Sequence, residues 1–388
     1  MIAPLQAMVA LNRLLVTPRR GRTPAAVGGK RLRQKTARAA LGFGVLGFAL
    51  ASLALAAAIE MVKPQWRDPE FGVRLDQIRK WQAKAPHRRP LVVVLGTSRV
   101  QMGISPAAMG FPDEPGSPLV YNCGMIGARH AMVLLNLIRL RDAGIKPDAV
   151  LIELFPRLLG SEATVESELE LWAPRLTNRD LDHVAPFAGD LSNVRRKWAV
   201  SRLNPWSQYR LQLMSAWLPT WIKENNREDG ARARLDDYGF APHPAVWVAP
   251  REAERARARI KAQQFDKGSR LTRVGSQFDK LIHDLVAWCR AERIEVAFFW
   301  TPESPAFRSW FQPEERAVAE EYGRSLTREL GRPVFPAPDH LSEDVFVDGH
   351  HLIRSGAEQY SRWLAENHLK PWLARYGLPV TPRSAAGH

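Results

Sequence analysis

Three residues in this sequence have the side chains that nucleophilic catalysis by serine would need: Ser98, Asp348 and His351. A serine hydroxyl is a weak nucleophile until a base takes its proton. The base is usually a histidine oriented by a third group. Asp348 and His351 stand three residues apart in Asp348-Gly349-His350-His351, so the carboxylate can reach the imidazole within one turn. Ser98 follows the apolar run Leu91 to Leu95 and Gly96. Such a run suits a strand covered on both faces of a parallel α/β sheet, where sites form beyond the carboxyl ends of strands. A plainer reading stands beside this one. Thr97 and Ser98 would cap the next helix, Asp348 a turn, and His351 the last helix.

The elements that must position these residues follow from the pattern. Leu119 to Asn122 predicts a second strand and Ala149 to Leu154 a third. Glu295 to Trp300 predicts a fourth and Pro333 to Pro336 a short fifth. Helices are expected over Ala131 to Ala143, from Ser276, over Pro313 to Leu330 and over Ser355 to Leu373. Strands alternating with helices imply βαβ units and a mainly parallel sheet. Between 160 and 274 the alternation breaks, and a mostly helical insertion is expected there as a separable cap. Its Trp172, Trp198, Trp206, Trp217, Trp221 and Trp247 either line a sugar or acyl groove or glue the cap to the core.

The chain has 388 residues and a net charge of +15. Nine Lys or Arg fall in the first 38 residues, which hold no acid. Arg251 to Arg273 adds eight basic residues against three acidic ones. The excess is therefore local, and nucleic acid is not an expected partner. Ala39 to Ile59 is 21 residues without charge. That length suits a bilayer-spanning helix and exceeds the apolar region of a cleaved signal. The basic leader should stay in the cytoplasm, leaving the remainder on the periplasmic or extracellular side. Two cysteines, Cys123 and Cys289, are too few for a disulfide framework and read as core residues. His130 and His283 read as structural. No metal spacing, phosphate loop or dinucleotide fingerprint is present, so no cofactor is expected.

The serine and the Asp-x-x-His block together resemble the SGNH (GDSL-like) hydrolase superfamily. The membrane-anchored extracytoplasmic branch, similar to proteins of polysaccharide or teichoic-acid O-acylation, is nearest. The resemblance covers residues 90–157 and 276–372. It implies that Ser98, in Gly96-Thr97-Ser98, is the nucleophile, His351 the base and Asp348 its orienter, with His350 the fallback base if the register is off by one. It implies an oxyanion donor in Asn122-Cys123-Gly124-Met125-Ile126-Gly127, with Gly127 ahead of Gly124. The family's Asn after strand three has no counterpart in Leu151 to Leu159, where Arg157 is either a substitute donor or a surface arginine. Glu303 and Arg308, in the loop after strand four, would edge the site, and Arg308 would meet an anionic group.

The expected fold class is α/β, a flavodoxin-like three-layer sandwich of about five mainly parallel strands with a helical insertion and one N-terminal transmembrane helix. The expected organisation is a leader (1–38), an anchor (39–62), a connector (63–90) and the SGNH-like domain in two parts (91–159 and 275–375). The insertion (160–274) divides those parts, and a tail (376–388) follows. The expected activity is esterase or O-acyltransferase on acyl esters of envelope polysaccharide. Its partners would be the membrane, an acylated glycan or acyl donor, and a multi-spanning acyltransferase. The rival expectation is a non-catalytic envelope scaffold.

Overall fold

The apolar runs of the sequence become five strands: β1 (Leu91–Leu95), β2 (Leu119–Asn122), β3 (Ala149–Leu154), β4 (Glu295–Trp300) and β5 (Val334–Phe335). They form one all-parallel sheet in the order β2-β1-β3-β4-β5. The structure is a computed structural model describing residues 28–62, 64–84, 89–114, 116–160, 164–222, 235–243 and 271–378. The leader up to residue 27, most of the basic stretch from Arg251, Trp247 and the tail beyond 378 lie outside them.

Alternate side chains of each strand enter different cores, as the twofold strand period requires. Val92, Val94, Leu151, Ala297 and Phe299 join one core, and Leu91, Val93, Val150, Ile152 and Phe298 the other. All of these residues are almost fully buried. A strand covered on both sides needs no polar alternation, which explains the uninterrupted apolar runs. The chain leaves β1 for β2 on one side and later adds β3 on the other. The loops after β1 and β3 therefore diverge and open a crevice at the strands' carboxyl ends.

The chain divides into two compact units, Met1–Ala54 and Leu55–His388. The described part of the first is most of α1 (Gly28–Ala57), which continues through a π-helical turn to Val62. The stretch Gln34–Val62 is long and apolar enough to cross a membrane, with a mean hydropathy of 2.2 over its 18-residue window.

In the second unit, α2 (Pro69–Lys84) precedes β1, α3 (Ser98–Gly103) follows it, and α4 (His130–Asp142) lies between β2 and β3. The insertion supplies α5 (Val165–Trp172), α6 (Asn178–Val184), α7 (Ser192–Leu203) and α8 (Arg210–Trp217). Then come α9 (Ser276–Ala291), α10 (Pro313–Leu330), α11 (Arg354–Leu364) and α12 (Lys370–Arg375). Helix α10 opens on Pro313 behind a Gln312–Glu315 capping box and ends at Gly331 with φ 64°. Cys123 and Cys289 are buried and unbridged, and burial pushes both thiols up to about 12.

The insertion shares a core with the sheet. Val165, Leu169, Trp172, Leu181, Val184 and Val194 belong to the same cluster as Val93, Ile152 and the leucines of α4. Arg139 of α4 sits at the junction. Its guanidinium donates to both oxygens of Asp180 at 3.0 and 2.8 Å and to Asp68 at 2.9 Å. One buried cation thus ties the connector and the insertion to a central helix. A separable cap would have its own core, and the described helices 165–203 do not.

Candidate active site

Gly96 follows β1 at a point where Val100 and the Glu153 carboxylate leave no room for a side chain. A Cβ there would lie 2.5 Å from Glu153 Oε2 and 2.3 Å from Val100 Cγ2. Beyond it Thr97 takes extended backbone angles and caps α3, its hydroxyl accepting from the Arg99 amide at 3.1 Å. Thr97 alone is the cap. Ser98 is the first residue of α3, and its side chain is free to reach elsewhere.

It reaches His351. Ser98 Oγ lies 2.8 Å from His351 Nε2, across 253 residues of sequence. His351 Nδ1 lies 2.8 Å from Asp348 Oδ2. The other carboxylate oxygen, Oδ1, accepts the His351 amide at 2.9 Å and the His350 amide at 3.2 Å. Burial works to raise the Asp348 carboxyl. The hydrogen bond from His351 and the charges of both histidines overcome it and hold Asp348 well below the usual carboxylate range. An ionised Asp348 on Nδ1 leaves Nε2 as the acceptor for a hydroxyl proton.

The loop holding this pair is pinned on both sides. The Val347 amide donates to His351 O at 2.8 Å, and Phe346 bridges Leu352 in antiparallel fashion. Gly349 has φ 98°, and a Cβ there would lie 2.9 Å from Phe307 Cβ. Its carbonyl accepts the Ser304 amide at 2.7 Å, so the loop after β4 buttresses the Asp-Gly-His-His loop.

His350 turns away from Ser98. It lies against Phe307 and Phe155, with centroids 5.0 and 6.2 Å apart. Burial, then the charge of His351, lowers it to about 3. The ligand atoms of Asp348, His350 and His351 lie within 4.8 Å of one another. Asp348 Oδ2 and His351 Nδ1 already bond each other, and Nε2 faces Ser98, so these donors are spent within the cluster.

The two oxyanion candidates part company. The Gly124 amide donates to Asn122 Oδ1 at 2.8 Å. A Cβ on Gly124 would lie 2.3 Å from the Gln101 amide nitrogen, so this glycine is there for close approach to α3. Gly127 is exposed at φ 76° in the loop before α4. That loop is anchored by Glu168, whose carboxylate accepts the amides of Arg129, Ala131 and Met132 at 2.6, 3.0 and 3.1 Å.

Arg157 lies over the Phe311 ring at 4.5 Å, and Arg308 pairs with the exposed Asp339 at 3.2 Å. Glu303 lies 3.6 Å from Arg99. Its carboxyl is raised by burial against the opposing charges of Arg99, Arg316, Arg308 and Arg157. Glu303, Arg308, Arg316, Trp300 and Phe311 line a groove of about 730 Å³ beyond β3 and β4.

Several positioning residues were not singled out from sequence. Glu153 Oε2 accepts the Thr97 amide at 2.7 Å, and Oε1 accepts the Thr301 hydroxyl at 2.9 Å. Its signal was a carboxylate inside an apolar strand. Arg99, 3% exposed, donates to the carbonyls of Thr301 and Pro302 at 3.0 and 3.1 Å. Asn122 donates to Val100 O and Ile104 O at 2.8 and 2.6 Å. Arg74 of α2 donates to Gly124 O at 2.6 Å and to Gln101 Oε1 at 3.2 Å. The insertion returns at 235–243, where Tyr238 O accepts the Asn122 amide at 2.8 Å. His243 ends this segment with its ring 6.2 Å from that of His351. No sequence pattern marks Arg74 or His243.

No protein-family model matches the chain, and no curated protein matches it.

Proposed function

We propose that this protein is a membrane-anchored serine enzyme of SGNH type that transfers acyl groups from esters, to water or to a glycan hydroxyl. The strand order β2-β1-β3-β4-β5, with a core on each face, supports reading the fold as a flavodoxin-like three-layer sandwich. The reading is carried by one observation: Ser98, His351 and Asp348 form an unbroken hydrogen-bonded chain of two 2.8 Å links. Such a chain is the arrangement nucleophilic catalysis by serine requires.

In this mechanism Ser98 Oγ attacks the ester carbonyl carbon while its proton passes to His351 Nε2. The charge developing on the carbonyl oxygen meets the amides of Ser98 and Gly127. Collapse breaks the ester C–O bond, and the leaving alkoxide takes the proton from His351. The acyl-Ser98 intermediate is then attacked by water, giving an esterase, or by a glycan hydroxyl, giving an O-acyltransferase. His351 takes the acceptor's proton and returns it to Ser98. The apolar stretch Gln34–Val62 and the basic leader favour an anchored domain on the outer side, near envelope polysaccharide and a membrane-bound acyl donor.

The test uses the full chain in detergent with a chromogenic acetyl ester and a serine-directed fluorophosphonate probe. Turnover, and labelling that disappears in Ser98→Ala, are expected. A folded protein that neither turns over the ester nor takes the probe at Ser98 would make it a scaffold that keeps the fold without the chemistry.

A further inference from the structure

Among the described residues, every exposed tryptophan lies in one short segment of the insertion. Trp206, Trp217 and Trp221 are 38%, 54% and 74% exposed, and Leu203 and Leu218 stand exposed beside them in sequence. Exposed apolar side chains gathered in this way mark a surface that meets something other than water. The sheet and its two cores make no use of these rings.

What the segment packs on tells where it stands. Tyr209 and Leu213, on its inner side, form a small core with Leu55, Ile59 and Trp66. Trp217 meets Trp66 edge-on, with centroids 5.7 Å apart. Arg202, one residue before Leu203, pairs with Glu60 at 2.7 Å and donates to the Tyr209 hydroxyl at 2.9 Å. Leu55 and Ile59 are the last residues of the uncharged run, and Glu60 is the first acidic residue of the whole chain. The run Ala39 to Ile59, at 1.5 Å per residue, is about 31 Å long. That matches a hydrocarbon core of about 30 Å and puts Glu60 at the boundary with water. Arg202 and Tyr209 touch Glu60 or its neighbours, so they lie at the same level. Tryptophan prefers this level, since its ring is apolar and its N–H polar.

We propose that Leu203, Trp206, Trp217, Leu218 and Trp221 form a docking face that lies in the headgroup region of a lipid bilayer. Its occupant is lipid because the face is continuous with the end of the apolar helix that enters the bilayer. Exposed Arg210, within the same segment, adds attraction to anionic headgroups. The proposal rests on the reading of Gln34–Val62 as a span.

The full chain is reconstituted into vesicles of phosphatidylcholine and phosphatidylglycerol in equal parts. It carries a single environment-sensitive fluorophore introduced through Trp221→Cys, Phe48→Cys or Arg328→Cys. The native Cys123 and Cys289 are buried and give little background. The label at 221 is expected to lose most of its emission to a nitroxide held at the lipid headgroup. The label at 48 should lose its emission to a nitroxide deep in the acyl chains. The label at 328, on an exposed position of α10, should respond to neither. Quenching at 48 without quenching at 221 overturns the docking face and leaves the anchor standing, and a protein partner then becomes the better occupant. No quenching at 48 overturns the anchor reading and the proposal together.

Discussion

In the proposed mechanism Ser98 and His351 share one proton transfer, so they should fail together. Ser98→Ala and His351→Ala are each expected to cut acyl-ester turnover by about 10⁴-fold or more, and the double variant should lose little beyond that. Steady-state kinetics on the three proteins checks this, and independent, additive losses would break the assignment. Asp348→Asn keeps the shape but offers Nδ1 a wrong partner, and a loss of about 10⁴-fold in kcat is expected. His350 acts on stability instead. Burial lowers it to about 3, whereas an unfolded histidine titrates near 6.5. Between those values the unfolded chain binds the extra proton, so stability rises with pH through this window. His350→Gln should remove that slope. Relative to the parent, it should gain roughly 2 kcal/mol at about pH 5 over its standing at about pH 8. Denaturant midpoints at the two pH values give the measurement, and an unchanged difference would show that His350 is not held neutral.

At the scale of elements, the nucleophile turn is shaped from β3 as much as from β1. Glu153 fixes the Thr97 amide and, through Thr301, the loop that supports Gly349. Gly96→Ala would push a methyl group into Glu153 Oε2. It is expected to cost about 1–3 kcal/mol and to lower kcat more than it raises KM, because it moves the attacking serine. Equilibrium unfolding together with kinetics separates the two effects. A stable variant with normal kcat would mean the turn does not depend on this contact. Arg139 makes the corresponding statement about the insertion. Arg139→Met leaves Asp180 buried without its cation and Asp68 with only Arg175, 3.9 Å away, and is expected to destabilise by about 3–5 kcal/mol in equilibrium unfolding.

For the molecule as a whole, two expectations follow. On the anchored reading proposed above, the basic leader stays in the cytoplasm and the C-terminal mass is expected outside it. A reporter active only outside, fused after His388, should therefore be active, and activity of a cytoplasmic reporter instead would reverse the placement. The insertion is the second case. Replacing 165–222 with a short linker strips Leu169, Trp172, Leu181 and Val194 from the first core. The product should elute as aggregate on size exclusion, whereas a monodisperse monomer would restore the picture of a detachable cap.

The sequence by itself determined what is local. Leu91 to Leu95 reads as a buried strand because its apolar run needs cover on both faces. Asp348 and His351 read as a pair because three residues of loop suffice to join them. Ala39 to Ile59 reads as a candidate span because length and lack of charge are summed along the chain. The tertiary structure decided which distant groups meet. It set Ser98 against His351 rather than His350, and it committed the Gly124 amide to Asn122. It brought Glu153 over Gly96, drew Arg74 from the connector onto Gly124, and buried the insertion's leucines with the sheet. These contacts are fixed by strand order and register, which put residues far apart in sequence on the same carboxyl edge. No periodicity within a single segment encodes that edge.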